Sequence, residues 1–247
     1  MSEQYFETMK YLQVRILRII GMILFVGTLF QCATDNTSSK TSATANPVAK
    51  ADENTSAQGA TTAQRKTIIF FGNSLSAGYG LDPAQGFVGL IEERINSLKL
   101  NYKVVNAGNS GETTSGGKER VGWILENYNP DIFVLELGGN DALRGLPVKD
   151  AEENLQFIID QVKAKNASAK ILLAGMMAPP NMGNTYTSEF SAIYPRLAKK
   201  NNADLIPFLL DKVGGQRHLN LPDGIHPNVE GHLIVRETIW AVLEKML

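Results

Sequence analysis

The chain has 247 residues, a formal net charge of −1 and one cysteine. With no excess of basic residues and no basic stripe, nucleic acid is excluded as an expected partner. A single cysteine also excludes an internal disulfide.

The N-terminal segment has the pattern of an export signal. An apolar run over residues 19–30 ends just before Cys32, and three basic residues precede it: Lys10, Arg15 and Arg18. A basic region followed by a short apolar segment is typical of a signal peptide and is short for a membrane-spanning helix. We therefore assign residues 1–32 to a signal peptide.

Cys32 has two interpretations. Leu29-Phe30-Gln31-Cys32 is similar to a bacterial lipoprotein cleavage site, although Gln31 stands where a small residue is usual. The alternative is a thiol buried in a membrane anchor. We favour a lipid anchor at Cys32, with the protein exported and either periplasmic or tethered to the outer membrane.

Residues 33–66 are rich in Thr, Ser, Ala, Asn and Gln and contain no aromatic residue, Leu or Ile. Such a segment buries too little apolar surface to offset its ordering entropy, which predicts a flexible polar linker. Residues 67–247 remain, about 180 residues, which is enough for one domain with a substantial core.

Within that domain, short apolar runs alternate with segments of helical period. Strands are predicted over residues 67–71, 103–107, 132–137, 171–174 and 204–206. Helices are predicted over residues 87–98, 113–127, 151–165, 188–200 and 229–246, with Asp150 and Glu153 as a capping pair before the third. This alternation predicts an α/β domain with three α/β/α layers around a parallel sheet.

The loops at the carboxyl ends of such strands usually carry the site. Here four conspicuous stretches fall in the expected loops: GNSLS at 72–76, NAGNSGET at 106–113, LGGND at 137–141 and DGIHPN at 223–228. Taken alone, each is also compatible with an ordinary turn.

Ser74 is the candidate nucleophile in the first stretch. A serine hydroxyl needs a base, usually a histidine oriented by a carboxylate. Asp223 lies three residues before His226 in a turn segment, so the two side chains can face each other. His232 lies in the last predicted helix, where packing is the expected role. His226 is therefore the candidate base.

Acyl transfer also needs hydrogen-bond donors for the developing oxyanion. The side-chain amide of Asn140 and the backbone amides of Gly111 and Ser74 are the candidates. A structural role for Asn140 in its Gly-Gly turn, and backbone flexibility at Gly111, are the alternatives. No Cys/His cluster has zinc spacing and no P-loop is complete, so we expect neither a metal nor a cofactor.

At these residues the chain resembles the SGNH (GDSL-type) hydrolases, and most closely the bacterial acyl-thioesterase/lysophospholipase/arylesterase subgroup. The resemblance implies a flavodoxin-like fold with roughly five parallel strands. It implies Ser74, Asp223 and His226 as the catalytic residues, and Ser74, Gly111 and Asn140 as the oxyanion hole. Asn73 departs from the family, which usually has Asp there.

The resemblance implies a serine esterase that forms an acyl-enzyme with small acyl esters or lipids: lysophospholipids, aryl or alkyl esters, or thioesters. A carbohydrate O-deacetylase is the alternative within the same chemistry. A non-catalytic binding lipoprotein is the alternative from another class. We expect segments 142–148 and 178–188 to shape the acyl pocket.

Overall fold

Five parallel strands form the single sheet of the computed structural model, which describes residues 64–247. The strands lie in the order β2-β1-β3-β4-β5, and they are β1 Lys66–Gly72, β2 Tyr102–Gly108, β3 Ile132–Glu136, β4 Lys170–Ala174 and β5 Asp204–Ile206. Each predicted strand is confirmed to within about one residue at either end. The first begins at Lys66, which the sequence had placed in the linker.

Helices cover both faces of this sheet. They are α1 Ser74–Ala77, α2 Phe87–Ser97, α3 Thr114–Asn127, α4 Gly139–Leu143, α5 Val148–Lys165, α6 Asn184–Ser191, α7 Ile193–Asn201 and α8 Val229–Leu243. α2 packs against α8, while α3 packs against α5 and α5 against α7. The three-layer α/β/α architecture is thereby confirmed.

The centre of the core is the strand pair β1–β3. Ile68, Ile69, Phe70 and Phe71 are all fully buried, because helices cover both faces of β1. Burial of such a side chain typically contributes about 1.5–3 kcal/mol, so these strands are rigid supports for the loops that leave them.

The helices differ from the prediction in several details. Helices α1 and α4 were not predicted, and α8 ends at Leu243 and not at residue 246. Residues 188–200 do not form one helix: α6 ends at Ser191, and α7 begins after Ala192. Pro195 has no N–H to donate to the carbonyl of Ser191, so a continuous helix would lack that hydrogen bond. The proline ring would also clash with the same carbonyl. Asp150 does not cap α5, because that helix begins earlier; the carboxylate lies in its first turn instead.

The predicted signal peptide, Cys32 and the linker up to residue 63 lie outside the described residues. Within residues 64–247, no helix combines the length and the apolar composition needed to cross a membrane.

Candidate active site

The predicted site residues follow neighbouring strands at one edge of the sheet. Gly72, the last residue of β1, pairs with Gly108 at the end of β2 and with Glu136 at the end of β3. The three loops that carry Ser74, Gly111 and Asn140 therefore start side by side.

Ser74 is the first residue of the short helix α1 and is only 7% exposed. The side chain of Asn73 caps this helix, because its Oδ1 accepts a hydrogen bond of 3.0 Å from the amide of Leu75. Gly78 ends the helix in the left-handed conformation, with φ of 72°. The sequence Gly-Asn-Ser thus forms a tight strand-to-helix turn with the serine at the helix start.

The side chains of Ser74, His226 and Asp223 form one hydrogen-bonded chain. Nε2 of His226 lies 2.8 Å from Oγ of Ser74, and Nδ1 lies 2.7 Å from Oδ2 of Asp223. The contact between His226 and Ser74 joins residues 152 positions apart. When Nδ1 carries the ring proton, Nε2 is free to accept the serine proton, so the arrangement suits a general base.

Asp223 is held in its ionised form by the turn in which it lies. Its Oδ1 accepts hydrogen bonds from the amides of Ile225 and His226, at 2.9 Å and 3.0 Å. Partial burial acts to raise the pKa of Asp223, but these amides and the His226 ring outweigh it and lower the pKa to about 2. The carboxylate therefore stays charged beside the imidazole at neutral pH.

Tyr79 is a residue of the site that the sequence did not indicate. Its ring lies 4.5 Å from the imidazole of His226, centroid to centroid, at an angle of 38°. Tyr79 is also half exposed, so its ring packs beside the base at the protein surface. A lone Tyr in a Gly-rich loop carries no sequence signal for this role.

Asn140 and Gly111 are tied together around the candidate oxyanion hole. One hydrogen of the Asn140 amide is donated to the carbonyl of Glu112 at 2.9 Å, which leaves the other hydrogen for a ligand. Gly111 has φ of 81°, and its carbonyl accepts from Nη2 of Arg144 at 2.9 Å. Within residues 64–247, the amides of Ser74 and Gly111 donate no hydrogen bond to another residue.

The loops that carry Asn140 and Gly111 are also joined by Asp141. Its two carboxylate oxygens accept from the amide and the hydroxyl of Thr114, at 2.9 Å and 2.6 Å. Burial raises the pKa of Asp141, while the Thr114 bonds and Arg144 act against that shift. This buried contact fixes the start of α3 against α4.

Glu136 is the second residue that the sequence analysis missed. It ends β3, is fully buried, and its Oε2 accepts hydrogen bonds from the turn that holds Ser74. The available signal was a lone acidic residue in an otherwise apolar strand, where a charge is expensive unless it is hydrogen-bonded.

His232 has the packing role that its position predicted. Only 1% of it is exposed, and its Nδ1 accepts a hydrogen bond of 3.1 Å from the amide of Phe87. Burial first, and the charge of His226 second, lower the pKa of His232 to about 4. Across the described part of the chain, no group of three or more His, Cys, Asp or Glu side chains is arranged to hold a metal ion.

Ser74, Asn140 and His226 line a cavity of about 150 Å³. Its remaining wall is mostly apolar and includes Leu75, Leu143, Met176, Leu210 and Ile225. Leu143 confirms that segment 142–148 contributes to this cavity. No residue of 178–188 lines it, so that expectation is wrong: residues of that segment line a separate surface hollow beside Met177.

Comparison with known proteins assigns the chain to a family. The model of the GDSL-like lipase/acylhydrolase family matches residues 70–234. Esterase TesA of Pseudomonas aeruginosa is 38% identical over 185 residues, which cover 75% of this chain and 91% of the relative. Thioesterase 1/protease 1/lysophospholipase L1 of Escherichia coli K12 is 35% identical over 181 residues, covering 73% and 85%.

The fold has solved counterparts as well. A crystal structure of TesA superimposes with a TM-score of 0.70 at 38% sequence identity, covering 74% of this chain and 100% of the other. At that identity, the likeness extends beyond the fold to the family.

Proposed function

The chain belongs to the GDSL-like lipase/acylhydrolase family and is a serine esterase, and we propose that Ser74, His226 and Asp223 carry its reaction. Ser74 is the nucleophile, His226 the base, and Asp223 the carboxylate that orients the base. The hydrogen-bond chain of 2.8 Å and 2.7 Å through the imidazole is the observation on which this proposal rests.

In the first half-reaction, Nε2 of His226 accepts the proton of Ser74 while Oγ attacks the carbonyl carbon of the ester. Negative charge develops on the carbonyl oxygen. Its donors are the backbone amides of Ser74 and Gly111 and the side-chain amide of Asn140. His226 then gives its proton to the leaving alcohol, the C–O bond breaks, and the acyl group remains on Ser74.

In the second half-reaction, water takes the place of the alcohol. His226 accepts a proton from the water as its oxygen attacks the acyl carbon, and the same donors stabilise the second oxyanion. Collapse of this intermediate releases the carboxylic acid and returns the proton to Ser74. Asp223 remains ionised throughout and stabilises the charged imidazole.

The substrates we propose are acyl esters: small aryl or alkyl esters, lysophospholipids, and thioesters. The names of the two relatives, an esterase and a thioesterase/lysophospholipase, support this range. The cavity beside Ser74 is walled by apolar side chains that suit an acyl chain. A cavity of about 150 Å³ is smaller than the roughly 300–1,000 Å³ of a site that encloses a drug-sized ligand, so short acyl chains fit it best.

We also propose that the esterase is exported and tethered to a membrane through a lipid on Cys32. The basic and apolar pattern of residues 1–32 supports export, and the polar composition of 33–66 supports a tether. An exported enzyme does not meet cytoplasmic acyl-CoA, which favours its ester substrates over thioesters in the cell.

Active-site variants test the assignment of roles. We expect Ser74→Ala to abolish both hydrolysis of p-nitrophenyl butyrate and covalent labelling by a fluorophosphonate. His226→Ala should lose several orders of magnitude in kcat, and Asp223→Ala somewhat less, because the carboxylate orients the base without reacting. A Ser74→Ala enzyme that still turns over the ester would contradict the serine-esterase mechanism. A binding module would leave the fluorophosphonate unreacted.

A substrate panel tests the acyl group. We expect kcat/KM of p-nitrophenyl esters to peak near butyrate or hexanoate and to fall towards palmitate, since longer chains leave the cavity. A peak at palmitate would show that the described cavity does not limit chain length. Adding a lysophospholipid and acetylated xylan to the panel separates the ester and lipid activities from carbohydrate deacetylation.

A further inference from the structure

The carboxylate of Glu136 is buried directly beneath the nucleophile turn. Glu136 is the last residue of β3 and has no exposed surface, although every other residue of that strand is apolar. A buried carboxylate costs free energy unless hydrogen bonds compensate it, so its partners indicate why it is there.

Within residues 64–247, every hydrogen bond of the Glu136 side chain goes to Asn73 or Ser76, which flank Ser74 on either side. Oε2 of Glu136 accepts from the amide of Asn73 at 3.1 Å, from the amide of Ser76 at 3.2 Å and from the hydroxyl of Ser76 at 2.8 Å. The carboxylate makes no hydrogen bond with Ser74 itself. One oxygen atom thus holds both ends of the turn and leaves the nucleophile free.

The glycine at the start of the turn fits the same arrangement. Gly72 is the register partner of Glu136 on the neighbouring strand, and a Cβ atom built on it would overlap both Oε2 of Glu136 and Oγ of Ser76. The carboxylate and the hydroxyl therefore occupy the space that a side chain at position 72 would need. The contact with Glu136 therefore explains both the glycine at position 72 and the serine at position 76.

We propose that Glu136 is a positioning residue of the esterase: it fixes the turn so that Oγ of Ser74 stays 2.8 Å from Nε2 of His226. The same turn fixes the amide of Ser74, which the mechanism uses for the oxyanion. This inference rests on the proposed role of Ser74, because Glu136 is fully buried and acts only through the turn that carries Ser74.

The other oxygen of Glu136 makes two replacements informative. Within residues 64–247, Oε1 has no hydrogen-bond partner. Burial raises the pKa of Glu136 to about 7, and the hydrogen bonds from Ser76 and Asn73 act against that shift. Glu136→Gln keeps an acceptor oxygen for the three donors, removes the charge, and places an amide NH2 group where Oε1 lies. Glu136→Met has a similar length and removes the acceptor altogether.

A matched control lies at the opposite end of the same two strands. Oδ2 of Asp131 accepts a hydrogen bond of 2.7 Å from the amide of Thr67, far from the site. Asp131→Asn therefore changes a carboxylate that bridges the β1 and β3 segments without touching the nucleophile turn.

The experiment measures kcat and KM of the full chain on p-nitrophenyl butyrate. The enzyme concentration of each preparation is taken as the amount of serine labelled by a fluorophosphonate when labelling is complete. We expect Glu136→Met to lower kcat about a hundredfold, on the scale of losing an oxyanion donor, with KM within about threefold. Glu136→Gln should recover most of that loss and have a kcat about three- to tenfold below that of wild type, because a neutral amide oxygen is a weaker acceptor than a carboxylate. Asp131→Asn should keep kcat within about twofold.

The inference is overturned if folded Glu136→Met enzyme, judged by its melting temperature and circular dichroism, keeps kcat within about twofold of wild type. If that variant does not fold, Glu136→Gln decides: a kcat reduced three- to tenfold at unchanged KM supports the role, and a wild-type kcat overturns it. Hydrolysis by Ser74→Ala would instead overturn the proposed mechanism, so the two failures are distinct.

Discussion

Single residues hold the imidazole of His226 at three points. Asp223 lies at Nδ1, Ser74 at Nε2, and Tyr79 covers one face of the ring. The first two contacts set which nitrogen carries the proton. The Tyr79 ring restricts rotation of the imidazole away from the line that joins Asp223 and Ser74. We therefore expect Tyr79 to affect the rate without taking part in the chemistry.

Replacement of Tyr79 tests this at the residue scale. An aromatic pair contributes about 0.5–1.5 kcal/mol, so Tyr79→Ala should lower kcat about two- to tenfold. Tyr79→Phe keeps the ring and should stay near wild type. The measurement is kcat on p-nitrophenyl butyrate for both variants. An equal loss in both would assign the effect to the hydroxyl and not to stacking.

Asn73 stands where the resemblance to the family implies an aspartate. Its contacts indicate that Asn73→Asp has only a small effect on activity. Oδ1 of Asn73 caps α1 by accepting from the amide of Leu75, and an aspartate supplies the same acceptor at a helix start. We expect Asn73→Asp to keep kcat/KM within about tenfold, or about 1.4 kcal/mol of barrier. If the folded variant loses as much activity as Ser74→Ala, Asn73 has a role that the cap does not explain.

The residues of the site fall into two groups: those in local sequence motifs, and one that only the pairing of strands brings to the site. Ser74, Asn140, Asp223 and His226 belong to local motifs, so spacing and chemistry predicted them. Glu136 reaches the serine turn only through the register of β1 on β3, and a strand pattern does not specify which residues pair. Tertiary contacts of this kind are what the sequence left unpredicted.

Between elements, the contact of α8 with the start of α2 contains a buried neutral histidine. His232 of α8 accepts a hydrogen bond from the amide of Phe87, the first residue of α2. The amide belongs to the first turn of a helix, where N–H groups lack helical partners. A protonated imidazole would lose this acceptor and place a charge in the core.

This contact makes stability depend on pH. The pKa of His232 is about 4 in the folded protein against an ordinary 6.5. Between these values the unfolded chain binds a proton that the folded chain does not, so the free energy of unfolding falls as pH falls from 6.5 to 4. Across this pH range, His232 changes the free energy of unfolding by about 3 kcal/mol.

The check is urea unfolding of wild type and His232→Asn across that range. Asn keeps an acceptor for the Phe87 amide but does not titrate. The difference between the two proteins is needed because Glu136, with its raised pKa of about 7, makes stability fall as pH rises from 4.5 to 7. We expect the wild type to lose more stability than His232→Asn on acidification. Parallel curves would show that His232 does not carry the effect.

The elements themselves were largely predictable, and the exceptions have local causes. All five strands followed from short apolar runs. β1, β3 and β4 are buried along nearly their whole length, which leaves mostly apolar residues in them, and the edge strands β2 and β5 contain shorter apolar runs. The break between α6 and α7 was missed because the apolar period continues across Pro195, whose missing N–H interrupts the helix. The period of the apolar residues indicates which face of a helix is buried. It does not indicate whether every backbone hydrogen bond of that helix can form.

For the whole molecule, the order of the strands converts distant motifs into one site. β1 lies between β2 and β3, so the loops after these three strands start at neighbouring positions. The segment of Asp223 and His226 follows the last strand, β5, and reaches Ser74 by direct contact. The sequence predicted that these loops share an edge, since parallel strands end on the same side. It did not predict the distances, which depend on the packing of every layer.

The last prediction concerns how the molecule is attached. If Cys32 carries a lipid, labelled palmitate fed to the cells should enter the wild-type protein and not Cys32→Ser, and the wild type should sediment with membranes while Cys32→Ser should not. The matched control is Ser74→Ala, which should be labelled like wild type, because a palmitoyl group held on Ser74, the proposed nucleophile, would otherwise imitate the anchor. Equal labelling of wild type and Cys32→Ser, or none in either, would contradict the lipid anchor and leave simple secretion or a membrane helix as the account of residues 1–32.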